Sequence, residues 1–171
     1  MCSSDLIRVD IETIVMAAGP HPSLIVLRER ETSESNEAPL RALSIQTGSF
    51  EAAALSQGID GKNPGRPITH DFTVNAVKEL GAKIARVEIS HMETPVFFAN
   101  VIILDQNGKE HAVDARPSDA LAFAVRVNAP IYVEDDIMNR AGTFSYQTDT
   151  NDEAEQQKFD EFVHTLSPDD F

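Results

Sequence analysis

The stretch VDARPSDALAFAV, residues 113–125, sets Asp114, Arg116 and Asp119 directly ahead of an apolar run. On a strand, residues two apart share a face, so Asp114 and Arg116 project together, and Asp119 follows one tight turn later at a helix start. Carboxylates so placed suit a hard divalent cation, Mg2+ or Mn2+, and a guanidinium fork suits a phosphate. Glu51 in GSFEAAAL opens another Ala-rich segment, and His70 and Asp71 stand together in THDF. Imidazole ordinarily titrates near neutrality, which fits His70 to proton transfer. The set reads as Glu51, Asp114 and Asp119 holding a metal, Arg116 clamping a phosphate, and His70, with Asp71 beside it, serving as acid or base. Each residue also has a structural reading. Glu51, Asp71 and Asp119 fit the first turn of a helix, where an acid is favoured by about 0.3–1 kcal/mol. Asp114 and Arg116 fit an ion pair that orders a turn.

The elements that must position these side chains give an α+β class, with a mixed, mostly antiparallel sheet. LIRVDIETIV alternates, with Ile7, Val9, Ile11 and Val15 on one face, and reads as a half-buried strand. LIVLRE follows the Gly19-Pro20 turn, and LRALSIQ completes an antiparallel meander. GSFEAAALSQG predicts a helix closed by Gly58, and THDFTVNAVKELG predicts one capped by Thr69 and stopped at Gly81. KIARVEIS and VFFANVIILD are strands, the second apolar on both faces and so central. Asn107-Gly108 turns the chain into KEHAVDA, ahead of the helix SDALAFAVRV and the strand PIYV. The helices that begin near Glu51 and Asp119 are apolar almost all round and predict burial.

An internal echo links them. At an offset of 68, SIQTGSFEAAALSQGI lies over AVDARPSDALAFAVRV, placing Glu51 opposite Asp119 and Gly48 opposite Arg116. Two related strand-turn-helix units with small Ala faces would bring Glu51 and Asp119 together.

At 171 residues, with 42 % hydrophobic and 25 % charged residues, the chain has the makings of a folded domain with its own core. No apolar run approaches the roughly 20 residues that cross a bilayer, so no membrane partner is expected. The start MCSSDLIRVDIE lacks the pattern of a signal peptide, and the single cysteine, Cys2, allows no internal disulfide; both point to the cytoplasm. Net charge is −14, of which residues 134–171, with 11 acids and two bases, carry −9. Residues 1–142 are read as one domain and 143–171 as an acidic extension, a peripheral helix or a partly disordered end. A basic stripe for duplex nucleic acid is missing, so nucleic-acid contact must be small or metal-assisted. The absence of a phosphate-binding glycine loop, a nucleophile elbow, a Cys/His zinc pattern and a dinucleotide fingerprint disfavours NTPases, α/β-hydrolases, zinc enzymes and Rossmann oxidoreductases.

GSFEAAAL, GRPITHDF and VDARPSDALAFAVRVNAPIYV, in this order, resemble the bifunctional nuclease domain family from about Leu6 to Gly142. The resemblance implies an α+β domain and DNase and RNase activity, which is attributed to plant members. It carries over Glu51, Thr69, His70, Asp71, Asp114, Arg116, Pro117, Ser118 and Asp119, which stand where the family motifs have the same residues. One departure is SIQTG, where Gln46 replaces an aromatic of the family's segment. Phe97 and Phe98 read as core residues, with Phe97 the alternative candidate for stacking on a base. His91, His111 and His164 show no metal-ligand spacing. Two readings stay open: a nuclease acting transiently on nucleic acid, or a non-catalytic, homo-oligomeric binding or structural protein in which the Asp/Arg motif orders the fold.

Overall fold

The computed structural model describes residues 5–31, 39–61 and 65–144. Cys2, His164 and the acidic extension beyond 144 lie outside the described residues. In chain order the elements are β1 (Leu6–Val15), β2 (Ser23–Glu29), β3 (Arg41–Thr47), α1 (Ser49–Asp60), α2 (Thr69–Glu79), β4 (Lys83–Glu93), β5 (Val96–Leu104), β6 (Glu110–Ala115), α3 (Pro117–Val127), β7 (Ile131–Glu134), α4 (Asp135–Ala141) and β8 (Thr143–Phe144). The eight strands form one sheet in the order β6-β5-β4-β7-β1-β2-β3-β8. All pairs are antiparallel except β4 with β7. The fold is therefore α+β with a mixed, mostly antiparallel sheet, and β5 is an interior strand, as its two apolar faces require.

Alternation decides what each strand buries. Val9, Ile25, Leu27, Val87, Ile89, Ala99 and Val133 are fully buried and make one core with Ala120, Leu121 and Ala122 of α3. In β1 the simple alternation fails beyond Ile11. A bulge between Ile11 and Thr13 shifts the register, so Ile14 pairs with Ile25 and turns inward, while Val15 is left 49 % exposed. α4 and β8 follow the short strand β7, and neither has a strong pattern of its own. Arg41 fastens α4 to the sheet, binding Glu29 on β2 together with Asp135 and Asn139 on α4.

The helices stack on one another as well as on the sheet, α1 and α2 both packing against α3. α3 is buried along most of its length, whereas α1 buries only Ala52 and Leu55. α1 also runs past Gly58 to Asp60, with Gly61 at φ 63° as its left-handed cap. Gly58 thus serves inside the helix, at the contact with α3. A β-carbon there would stand 2.5 Å from Arg126 Nη1 and 2.8 Å from Val125 Cγ2. Gly→Ala in an open helix interior gains about 1 kcal/mol, but overpacking costs about 1–3 kcal/mol. Gly58→Ala is accordingly expected to lower stability, by about 1 kcal/mol net, read as a lower urea midpoint. A raised midpoint would show that α1 moves away from α3 without cost.

Candidate functional site

Three helices begin at one place. α1, α2 and α3 start after Gly48, Ile68 and Arg116, none of which caps its helix with its side chain. Each has an acid at the third helical position, Glu51, Asp71 and Asp119, where free backbone N–H groups favour negative charge. Thr69, expected as a cap, is instead the first helical residue of α2. The cap bond runs the other way, from the Ile68 backbone N–H to Asp71 Oδ2 at 3.0 Å.

The first turn of α2 clasps the polar stripe of α3. Asp119 and Arg126 are seven residues apart in α3 and so lie on one face, two turns from each other. His70 Nε2 lies 2.9 Å from Asp119 Oδ1, and Asp71 Oδ1 accepts from Arg126 Nε at 2.8 Å. Arg126, only 8 % exposed, also donates to the Ala122 carbonyl and to the Ala54 carbonyl of α1. It joins three helices with one guanidinium. Its sequence signal was a lone cation in an apolar helix, seven residues beyond an acid.

Arg116 joins two of these helices, α1 and α3, at their N-terminal ends. Its Nε donates to Asp119 Oδ2 at 2.8 Å and its Nη2 to Asp119 Oδ1 at 3.2 Å, while Nη1 reaches Glu51 Oε1 at 3.1 Å. The two acids that the sequence echo paired are therefore bridged by one guanidinium. Burial pushes the Asp119 carboxyl up, but the hydrogen bonds from Arg116 and His70 outweigh it and hold the group below its ordinary 3.8. Asp71 is also held below 3.8, by Arg126 foremost. A carboxylate only accepts, so the His70 nitrogen facing Asp119 is the one that carries hydrogen, and Nδ1 of the neutral ring is left as acceptor. The His70 ring lies 5.4 Å from the ring of Phe123, which helps to fix it.

Lowered carboxyl values have a definite consequence for stability. A folded value below the unfolded one favours the charged carboxylate, so the contribution is complete above the unfolded value and is lost as pH falls through the folded one. Urea midpoints are expected to fall from about pH 4 downward. Asp119→Asn and Asp71→Asn are each expected to flatten that acid limb. An unchanged limb in both would show that neither group's titration is linked to folding.

The N-terminal ends face an open pocket of about 490 Å3, lined by residues that include Phe50, Glu51, His70, Asp114, Arg116 and Asp119. Asp114 lies in register with Asn100 of β5, and its carboxylate makes no hydrogen bond or ion pair among the described residues. Asp71 is turned to Arg126 and to its own helix start and does not line the pocket. Phe97 is packed against the core and does not line it either; Phe50, which the sequence did not single out, does. His91 pairs with Glu93 and His111 with Asp105, away from this site. Among the described residues, no three His, Cys, Asp or Glu side chains converge as a metal cradle. Arg116 occupies the space between Glu51 and Asp119, so as arranged these donors do not fit an ion. Also among the described residues, no helix is long and apolar enough to cross a membrane.

A family model described as Bifunctional nuclease domain matches residues 25–145 of the chain. Two Mycobacterium tuberculosis proteins, named Uncharacterized protein MT1877 and Uncharacterized protein Rv1829, are each 39 % identical to it over 138 residues. Those alignments cover 77 % of this chain and 81 % of each relative.

Proposed function

Since the chain belongs to the bifunctional nuclease domain family, we propose that it hydrolyses phosphodiester bonds of DNA or RNA in the pocket where α1, α2 and α3 begin. The observation that carries this reading is the convergence of three helix N-termini, Arg116 and His70 on one open pocket. Helix N-termini and a guanidinium both attract phosphoryl oxygens. Arg116 has a 64 % exposed side chain and can turn from its carboxylates to a phosphate. His70, held by Asp119, takes a proton at Nδ1 from the attacking water, and the departing oxygen is protonated from solvent or from the ring on its return. Glu51, Asp114 and Asp119 would hold Mg2+ or Mn2+ only with Arg116 turned out, and the ion would then neutralise phosphoryl charge.

A second reading has the Arg116 pairing in its favour: the polar knot orients the helices, and the protein acts by association, as a homo-oligomer. The exposure of Arg116 at an open pocket weighs for the first. The test is cleavage of labelled single-stranded DNA and RNA with Mg2+, Mn2+ or EDTA, beside folded Asp114→Ala and Asp119→Ala variants. Cleavage abolished in the variants supports the nuclease; cleavage unchanged in them, or none by the parent protein, sinks it. Dependence on metal decides the part of the ion.

A further inference from the structure

We propose that Phe50 is a stacking platform for an unpaired nucleobase next to the phosphate held by Arg116, which makes single-stranded nucleic acid the substrate class of the pocket. This rests on the nuclease reading above and adds to it a residue and a specificity.

Phe50 is 87 % exposed, although it belongs to an otherwise Ala-rich helix with a buried stripe. It is the second residue of α1, directly before Glu51, and it lines the same pocket as Arg116 and His70. Helical side chains lean toward the N-terminus. The ring is thereby set over the mouth where the three helices begin, and its position costs the fold a large apolar exposure that packing does not repay.

The chemistry of the pocket selects the occupant. Its lining offers three carboxylates and one guanidinium, and the chain as a whole carries −14. Binding through many phosphates is closed to such a surface, so affinity must come from a term that charge does not oppose. Stacking of a base on an aromatic ring is such a term. In a duplex each base already stacks on its neighbours and offers no free π-face; in a single strand, a loop or an end it does. One ring beside one guanidinium thus reads one unstacked nucleotide and its phosphate.

The experiment measures binding, so that it separates from cleavage. A short fluorescein-labelled oligodeoxythymidylate and an abasic oligophosphodiester of the same length are titrated with the full chain in EDTA, by anisotropy, at several salt concentrations. The base-bearing strand is expected to bind more tightly, with a log–log salt slope of about −0.7, as for one phosphate contact on a single strand. Phe50→Ala is expected to weaken it by about 5- to 150-fold, the range of one lost base stack, and to erase the difference from the abasic strand. Phe50→Trp should retain both. Phe72→Ala, which removes another exposed aromatic (65 %) that does not line the pocket, should change neither. Equal binding of both strands, binding by Phe50→Ala as tight as the parent, or no binding at all would overturn the proposal. So would a fall in the association state of the protein on Phe50→Ala, which would make the ring a contact between copies of the chain. Base-dependent binding through Phe50 without cleavage in any metal would leave the stacking site standing and sink the nuclease; cleavage that ignores Phe50 would do the reverse.

Discussion

Arg126→Ala is expected to cost about 3 kcal/mol of stability, or roughly 10 °C in Tm, more than any change at the exposed Arg116. The guanidinium is 8 % exposed and is the only cation that bonds Asp71 among the described residues. Its removal leaves the partly exposed Asp71 carboxylate with the Ile68 N–H alone, takes a second donor from the helical carbonyls of Ala54 and Ala122, and leaves a gap where the three helices meet. Unpaired buried groups retain their desolvation cost, which is why truncating one partner hurts more than the net worth of the bond. Arg126→Lys should recover only part, since a single ammonium cannot reach three helices at once. Urea denaturation checks the size, and a double-mutant cycle with Asp71→Ala isolates the pair. A loss below about 1 kcal/mol would mean that water replaces the guanidinium and that the three-helix junction holds by apolar packing.

Much of this junction was legible before any coordinates, for physical reasons. Strand positions, the Asn107-Gly108 turn and the acids at helix starts are local signals, and they stand in the structure, except that the alternation of β1 fails beyond Ile11. The 68-residue echo carried farther, because two strand-turn-helix units of the same design place their third helical positions alike, and Glu51 and Asp119 meet through Arg116. What the sequence could not give was the use of each group. Gly58 looked like a helix stop because glycine there is ambiguous; only the proximity of α3 shows that it is needed for close approach. Asp71 and His70 are neighbours in sequence, yet successive helical positions point about 100° apart. One therefore meets Asp119 at the pocket and the other Arg126 behind it. The bulge in β1 left no local mark, since Ile14 and Val15 are equally apolar and only the pairing with β2 decides which is buried. Phe50 escaped notice because an aromatic in an Ala-rich helix reads as core until its exposure is known.

If the pocket is a nuclease site, Asp119→Asn is expected to lower cleavage by about 100- to 10,000-fold, the range of a lost acid–base arrangement. The substitution keeps the size of the side chain and removes its charge. Asp119 Oδ1 accepts from both His70 Nε2 and Arg116 Nη2, and Oδ2 accepts from Arg116 Nε. An asparagine offers one acceptor oxygen, and its NH2 group must face one of those donors. Either His70 loses the partner that fixes its tautomer or Arg116 loses half of its fork. His70→Ala is expected to fall in the same range, and the double variant little lower, because groups that act as a unit are not additive. Raised temperature sensitivity alone would not produce that pattern, since a merely structural role predicts that the two losses of stability add while the rate per folded molecule stays constant. Rates normalised to folded protein, for the two single variants and the double, therefore decide between a working triad of His70, Asp119 and Arg116 and an ion-pair knot. Rates per folded molecule equal to the parent's would assign these residues to the fold, and multiplying losses would make them separate contributors rather than one unit.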